Sequence, residues 1–135
     1  MNTFKPTIWL VKDAEPLPLD PKQRLLRTGL LAKELIGRGY NVVWFASRFE
    51  HARKRFVQGD SIQKVSDNLT IYLLEGKGYS ANISRARIVH QRSIANHFEK
   101  IASTLPLPEL IVTCYPSPEL CLRSAQFASR NGVKL

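Results

Sequence analysis

Apolar residues along this chain fall into short blocks separated by polar punctuation, and the blocks alternate between two periods. Ile8-Trp9-Leu10-Val11 and Asn41-Val42-Val43-Trp44-Phe45-Ala46 are runs of β-forming residues bounded by loop residues, the pattern of strands buried on both faces of a parallel sheet. Between them Leu26, Leu30, Leu31, Leu35 and Ile36 recur at the spacing of one helical face. Asp20-Pro21-Lys22-Gln23 carries an N-cap residue, a first-position proline and a capping-box glutamine, so the helix is predicted to begin there and to end at Gly39. Residues 8–51 therefore read as one βαβ unit.

The alternation continues. Leu69-Thr70-Ile71-Tyr72-Leu73-Leu74 predicts a third strand, reached through the polar run from Gly59-Asp60 to Asp67-Asn68, which is read as a loop. Gly76-Lys77-Gly78-Tyr79 reads as a turn, and Asn82 or Ser84 is placed to cap a helix running to about Ser103, with Ala95, Phe98, Ile101 and Ala102 on its buried face. Leu110 to Cys114 predicts a fourth strand. Ser117-Pro118-Glu119 opens another helix that should end before Asn131-Gly132, and Val133-Lys134-Leu135 looks like the start of a fifth strand. The expected fold is α/β, a Rossmann-like doubly wound parallel sheet forming a single domain over residues 1–135. Its last strand is expected to be incomplete.

Composition adds partners to this picture. The chain has 135 residues, enough for one domain with a real core. No run approaches the ~20 apolar residues of a membrane span, and no signal-peptide pattern opens the chain, so a cytoplasmic protein is expected. Cys114 and Cys121 lack the paired spacing of a zinc site and are read as reduced, core or near-core thiols; no metal is expected. The net charge is +9, and residues 22–64 hold ten Lys or Arg against Glu34, Glu50 and Asp60. Such a field favours phosphate-bearing partners: nucleic acid, an anionic membrane leaflet or a phosphorylated substrate. A solvated basic surface is the plainer explanation. Nucleic acid rests on charge alone, without a recognition helix or RNA-binding aromatic motif, and is not expected.

The candidate chemistry gathers after the second strand, where open α/β sheets bind ligands. Ser47-Arg48-Phe49-Glu50-His51-Ala52-Arg53-Lys54-Arg55-Phe56 interleaves aromatic rings with four Lys or Arg. Phe49, Arg53, Lys54, Arg55 and Phe56 are read as membrane-facing, in the manner of amphipathic interfacial segments; the two phenylalanines serve equally as loop anchors. Arg24 and Arg27, placed on the first turns of the predicted helix, and Arg48 have the guanidinium geometry for phosphate. His51 is a candidate base or phosphate ligand, or an ordinary loop histidine. Gly29 marks close packing or ligand approach. His90 and His97 receive no role. The loop after the first strand, Lys12-Asp13-Ala14-Glu15-Pro16-Leu17-Pro18, has acids and prolines where a dinucleotide cradle needs glycines, so no cofactor is expected in this chain.

Taken together, Leu17-Pro18-Leu19-Asp20, Arg24, Arg27-Thr28-Gly29-Leu30-Leu31-Ala32, Arg38-Gly39-Tyr40-Asn41-Val42, Trp44 and Ser47-Arg48-Phe49-Glu50-His51 resemble the N-terminal, acceptor-side domain of GT-B glycosyltransferase family 4. The likeness is to its bacterial surface-polysaccharide branch, which includes aminosugar transferases. Tyr79, Asn82-Ile83-Ser84 and Arg87 resemble a second motif of that family, and Cys114-Tyr115-Pro116-Ser117-Pro118 resembles its strand and proline-containing loop. The resemblance implies the acceptor-binding half of a sugar-nucleotide-dependent transferase, with Arg24, Arg27, Arg48, His51, Asn82, Ser84 and Arg87 around an acceptor or phosphate. It also implies a polyprenyl-diphosphate-sugar acceptor, an anionic membrane surface on the inner face of the plasma membrane, and a separate C-terminal domain binding the nucleotide sugar. Tyr115 stands where some relatives place a catalytic histidine, so no catalytic residue is assigned. The competing reading is a non-catalytic module or split-gene subunit that needs a partner domain.

Overall fold

The computed structural model describes residues 4–115 and 117–135; Pro116, part of the third motif, lies outside the described residues. The elements in chain order are β1 (Thr7–Val11), α1 (Arg27–Gly37), β2 (Asn41–Ser47), β3 (Phe49–Glu50), β4 (Arg55–Phe56), β5 (Ile62–Ser66), β6 (Leu69–Leu74), α2 (Arg85–Ala102), β7 (Leu110–Thr113) and α3 (Pro118–Asn131). The main sheet has the order β5-β6-β2-β1-β7 and is parallel except at β5, which pairs antiparallel with β6. This is a small Rossmann-like α/β fold. The predicted fifth strand makes a first contact: Lys134 bridges Leu110 in parallel, and Ile111 N–H donates to the Lys134 carbonyl at 2.9 Å.

The unbroken apolar runs are explained by burial on both faces. Ile8 and Leu10 of β1, with Val42, Trp44 and Ile71, pack with Ala32 of α1. Trp9 and Val11 face the other way, with Phe45, into a core closed by Ile94 and Phe98 of α2 and Leu120 and Phe127 of α3. That second core is largely aromatic. Trp9 meets Phe45 edge-on at 5.1 Å between ring centroids, and Phe45 meets Phe98 at 5.0 Å, the offset geometry that ring quadrupoles favour. Trp44 is fully buried, and its indole N–H donates to the Lys12 carbonyl at 2.9 Å, fixing the end of β1 against β2.

The first helix begins at Arg27, not at Pro21. Asp20 satisfies a turn instead: its Oδ1 accepts from Lys22 N–H at 2.9 Å and its carbonyl from Gln23 N–H at 3.0 Å. Leu26, at the N-cap, offers no side-chain cap, and Glu15 from the β1–α1 loop supplies one by accepting from Thr28 N–H at 2.8 Å. Gly29 is explained by packing, since a β-carbon there would meet Leu25 Cδ2 at 2.9 Å. The segment 59–68 is not a plain loop but contains β5, an exposed edge strand. Ser84 caps α2 as expected, accepting from Arg87 N–H at 3.1 Å, and Gly132 ends α3 in the left-handed conformation with φ of 65°. Cys121 is half-buried, whereas Cys114 is exposed, contrary to the expectation of a core thiol.

Candidate functional site

The carboxyl ends of β2 and β6 lie side by side, and each delivers a loop. After β2 the chain forms a β3–β4 hairpin whose turn spans His51 to Lys54; after β6 it runs through Gly76 to Tyr79 and into the cap of α2. Two segments about thirty residues apart in sequence therefore meet. The Tyr79 hydroxyl lies 2.6 Å from His51 Nδ1, and Lys54 Nζ lies 3.4 Å from the same nitrogen. Lys54 also donates to the His51 carbonyl at 2.7 Å and to Asn82 Oδ1 at 2.6 Å. Arg87 donates to the Asn82 carbonyl at 2.7 Å, and both cations lie over the Tyr79 ring, at 4.9 Å for Lys54 and 5.7 Å for Arg87.

This cluster sets the state of His51. An ammonium beside Nδ1 disfavours a proton there, so Nδ1 accepts from the Tyr79 hydroxyl and the ring proton sits on Nε2. Burial lowers the His51 pKa, with the Lys54 and Arg87 charges acting the same way, so the imidazole is neutral near pH 7. Burial also raises the Tyr79 pKa and keeps its hydroxyl protonated. Lys54 adopts a left-handed φ of 50°, a strained conformation for a residue with a side chain, and its ammonium is held in this cluster by the His51 carbonyl and Asn82 Oδ1.

Beneath the cluster lies a histidine that local sequence did not reveal. His90 is 2% exposed. Its Nδ1 accepts from Gly78 N–H at 3.0 Å, which places the proton on Nε2, directed at Ser47 Oγ 3.2 Å away. Ser47 Oγ in turn accepts from Phe49 N–H at 3.0 Å. Burial lowers the pKa of His90. The Ser47–His90 pair is not a nucleophile and its base: the nitrogen facing the hydroxyl already carries the proton, and Ser47 is buried. Its role is to hold the glycine loop. A lone histidine on a helix carries no local sign of burial; only the contact with Gly76 and Gly78 creates it.

His51 lines a narrow cleft of about 100 Å³ with Asp13, Glu15, Gln23, Ser47 and Arg53. Asp13 accepts a hydrogen bond from the Ser117 hydroxyl, which ties the β1–α1 loop to the start of α3. The cleft continues through Leu17, Gln23, Glu50 and Arg53 into a wider groove of about 570 Å³ that adds Leu19, Arg55, Phe56 and Val57. Another groove, of about 740 Å³, lies at the opposite edge, between the C-terminal ends of α2 and α3, away from these groups.

The residues expected at one site thus divide. His51, Asn82, Ser84 and Arg87 come together. Arg24 and Arg27 do not join them: Arg24 precedes α1 and Arg27 is its first residue, and both line a separate cleft across the β1–α1 loop. Arg48 is turned to its own chain, donating to the carbonyls of Val57 and Gly59 at 2.9 Å each, to Ser61 Oγ at 2.8 Å and to Glu75 at 2.6 Å. It is a clamp, not a ligand-facing cation. The membrane-facing set also changes. Phe49 is buried against Phe56, Tyr79 and His90, because its strand ends above the core, and Lys54 points inward. Arg55 pairs with Glu50 at 2.8 Å, while Arg53 is exposed and Phe56 is 40% exposed.

Among the described residues no group of three or more His, Cys, Asp or Glu is placed to hold a metal ion, and no helix is long and apolar enough to cross a membrane. Fold and site together define a Rossmann-like domain with a cleft of mixed polar and apolar lining at the carboxyl edge of its sheet. No family model matches the chain, and no curated protein matches it in sequence.

Proposed function

We propose that this chain is the acceptor-binding half of a sugar-nucleotide-dependent glycosyltransferase of bacterial surface-polysaccharide or glycolipid synthesis. The observation that carries the reading is the convergence of His51 with Tyr79, Asn82, Ser84 and Arg87, residues of two separate family-like motifs, in one hydrogen-bonded cluster from which His51 faces the cleft. The cleft and groove suit a lipid-linked acceptor. A sugar fits the polar end, where Asp13, Gln23 and the Nε2–H of His51 offer hydrogen-bond partners, and the Leu19, Phe56 and Val57 wall suits an isoprenoid chain. Arg53, at the junction, is the cation for the linking diphosphate.

In the complete reaction an acceptor hydroxyl bonds to the anomeric carbon as the bond to the nucleoside diphosphate breaks. The nucleotide sugar would be held by a second domain, so the chain alone binds acceptor without turnover. A short prenyl-diphosphate-sugar analogue should shift the amide resonances of Gly78 to Arg87 and of the 51–54 turn, and Arg87→Ala should weaken its binding. Binding that ignores Arg87→Ala and Asn82→Ala, or perturbs only the opposite edge, would overturn the assignment. The membrane component is read by sedimentation with anionic vesicles: binding should fall with salt and with Arg53→Glu.

A further inference from the structure

We infer that residues 75–79, between β6 and α2, form a latch fastened at three points by the Nδ1 atoms of His51, His90 and His97, and that protonation of these rings releases it. The inference stands whether or not a sugar is transferred, because it concerns how the loop is held and not what the cleft binds.

The chain has three histidines, and all three engage this one loop. At its start Glu75 N–H donates to His97 Nδ1 at 2.8 Å, and in its middle Gly78 N–H donates to His90 Nδ1 at 3.0 Å. At its end the Tyr79 hydroxyl meets His51 Nδ1 at 2.6 Å. Each ring therefore acts as an acceptor in its neutral form, with the proton on Nε2. Among the described residues, the backbone of 75–79 makes no other hydrogen bond. Gly76 and Gly78 give that backbone freedom to move once it is unfastened.

Protonation inverts the contacts. A proton added to Nδ1 turns an acceptor into a donor, so the Glu75 and Gly78 amides then face another N–H and lose their partners. His97 faces Glu75, which favours its cation and is itself paired with Arg48, and Lys100, which opposes it. His51 faces Asp13 on one side and Lys54, Arg87 and the Tyr79 hydroxyl on the other; His90 faces Asp13, the Ser47 hydroxyl and the Phe49 and Tyr79 rings. Burial has the largest influence on all three and lowers their pKa values. The fastened loop thus holds fewer protons than the released one, and the latch is full above about pH 6.5 and weakens below it. His51 and His97, both half-buried, meet the proton first, and the fully buried His90 follows as the loop lifts. A charged His51 also adds a third cation beside Lys54 and Arg87, which drives the Tyr79 cluster apart.

The test is a pH titration of the full chain from pH 7.5 to pH 5, read by amide NMR and hydrogen exchange. The Glu75 and Gly78 amides and the Tyr79 ring should move together, with one midpoint below pH 6.5 and a profile steeper than a single proton gives. Exchange protection of the two amides, corrected for intrinsic rate, should fall about tenfold for each unit by which burial lowers the ring pKa values. The Trp44 indole N–H, bonded to the Lys12 carbonyl, should stay in place as the mark of an intact fold. His97→Asn keeps an acceptor near the Nδ1 position and cannot be charged there, so it should hold Glu75 at acid pH and flatten the profile; His90→Asn with His97→Asn should hold the whole loop. If the double variant does not fold, His97→Asn, at a half-buried ring, decides. Separate midpoints for Glu75 and Gly78, loop shifts that coincide with loss of the Trp44 signal, or an unchanged profile in His97→Asn would overturn the inference.

Discussion

His90 is where a single side chain decides most. It satisfies one backbone N–H and one hydroxyl in a space with no water access, so truncating it strands both. His90→Ala should cost about 1–3 kcal/mol for the unpaired groups alone, with a cavity cost in addition. His90→Asn, which keeps an acceptor near the Nδ1 position, should recover part of the loss in a chemical denaturation series. Equal losses in the two variants would show that packing, and not the Gly78 hydrogen bond, carries the effect. Gly76 tests the same contact from the other side. A β-carbon there would lie 2.4 Å from His90 Nδ1 and 3.0 Å from Ile94 Cγ2, so Gly76→Ala must push the ring off Ser47. The expected penalty is about 1–3 kcal/mol, with the Tyr79 and His51 resonances moving together. An unchanged melting curve and spectrum would refute the close packing.

At the scale of elements, Arg48 joins what the sheet alone does not. From just after β2 its fork reaches the segment 57–61 between β4 and β5 and Glu75 after β6, and Glu75 also receives support from His97 Nδ1, an acceptor for Glu75 N–H at 2.8 Å. Arg48→Met should cost about 2–3 kcal/mol and raise amide exchange across 57–61, and Arg48→Lys should not restore it, because an ammonium cannot reproduce the planar fork. Full rescue by lysine would reduce Arg48 to a surface charge. The parallel strands and α2 were legible because burial on two faces and a Ser84 cap leave local traces in composition. The β5 strand left none: Ile62 and Val65 are exposed at an edge, so alternation is not enforced by a core. The start of α1 was misplaced for a different reason. Asp20-Pro21-Gln23 reads as a cap but closes a turn, and the residue that caps the helix, Glu15, lies 13 positions before its partner Thr28, beyond any local signature. The candidate site was half legible: His51, Asn82, Ser84 and Arg87 were found from motifs, whereas Lys54 and His90 gain their roles only from the fold of the hairpin and glycine loop.

For the molecule as a whole, ionisation should set an acid limit. Burial holds the pKa values of His51, His90 and His97 below the ordinary value near 6.5. Unfolding frees these rings to take up protons, so between the folded and unfolded values the unfolded state holds more protons and stability rises with pH. Stability from these groups is full above about pH 6.5 and drains as the pH falls below it. Glu99 acts in the same direction at lower pH, since the hydrogen bond from Arg130 holds its carboxyl below the usual range. The melting temperature should therefore decline from pH 7 to pH 5, less steeply in His90→Asn; a flat profile in the parent protein would exclude neutral buried imidazoles. Gly78 carries a consequence for the descent of this protein. With φ of 73° and room for no β-carbon beside Phe49 and Phe56, it binds three distant positions into one heritable unit. A lineage that replaces Gly78 should also have traded at least one of the two phenylalanines for a smaller residue, and ancestors reconstructed with only one of those changes should fold poorly.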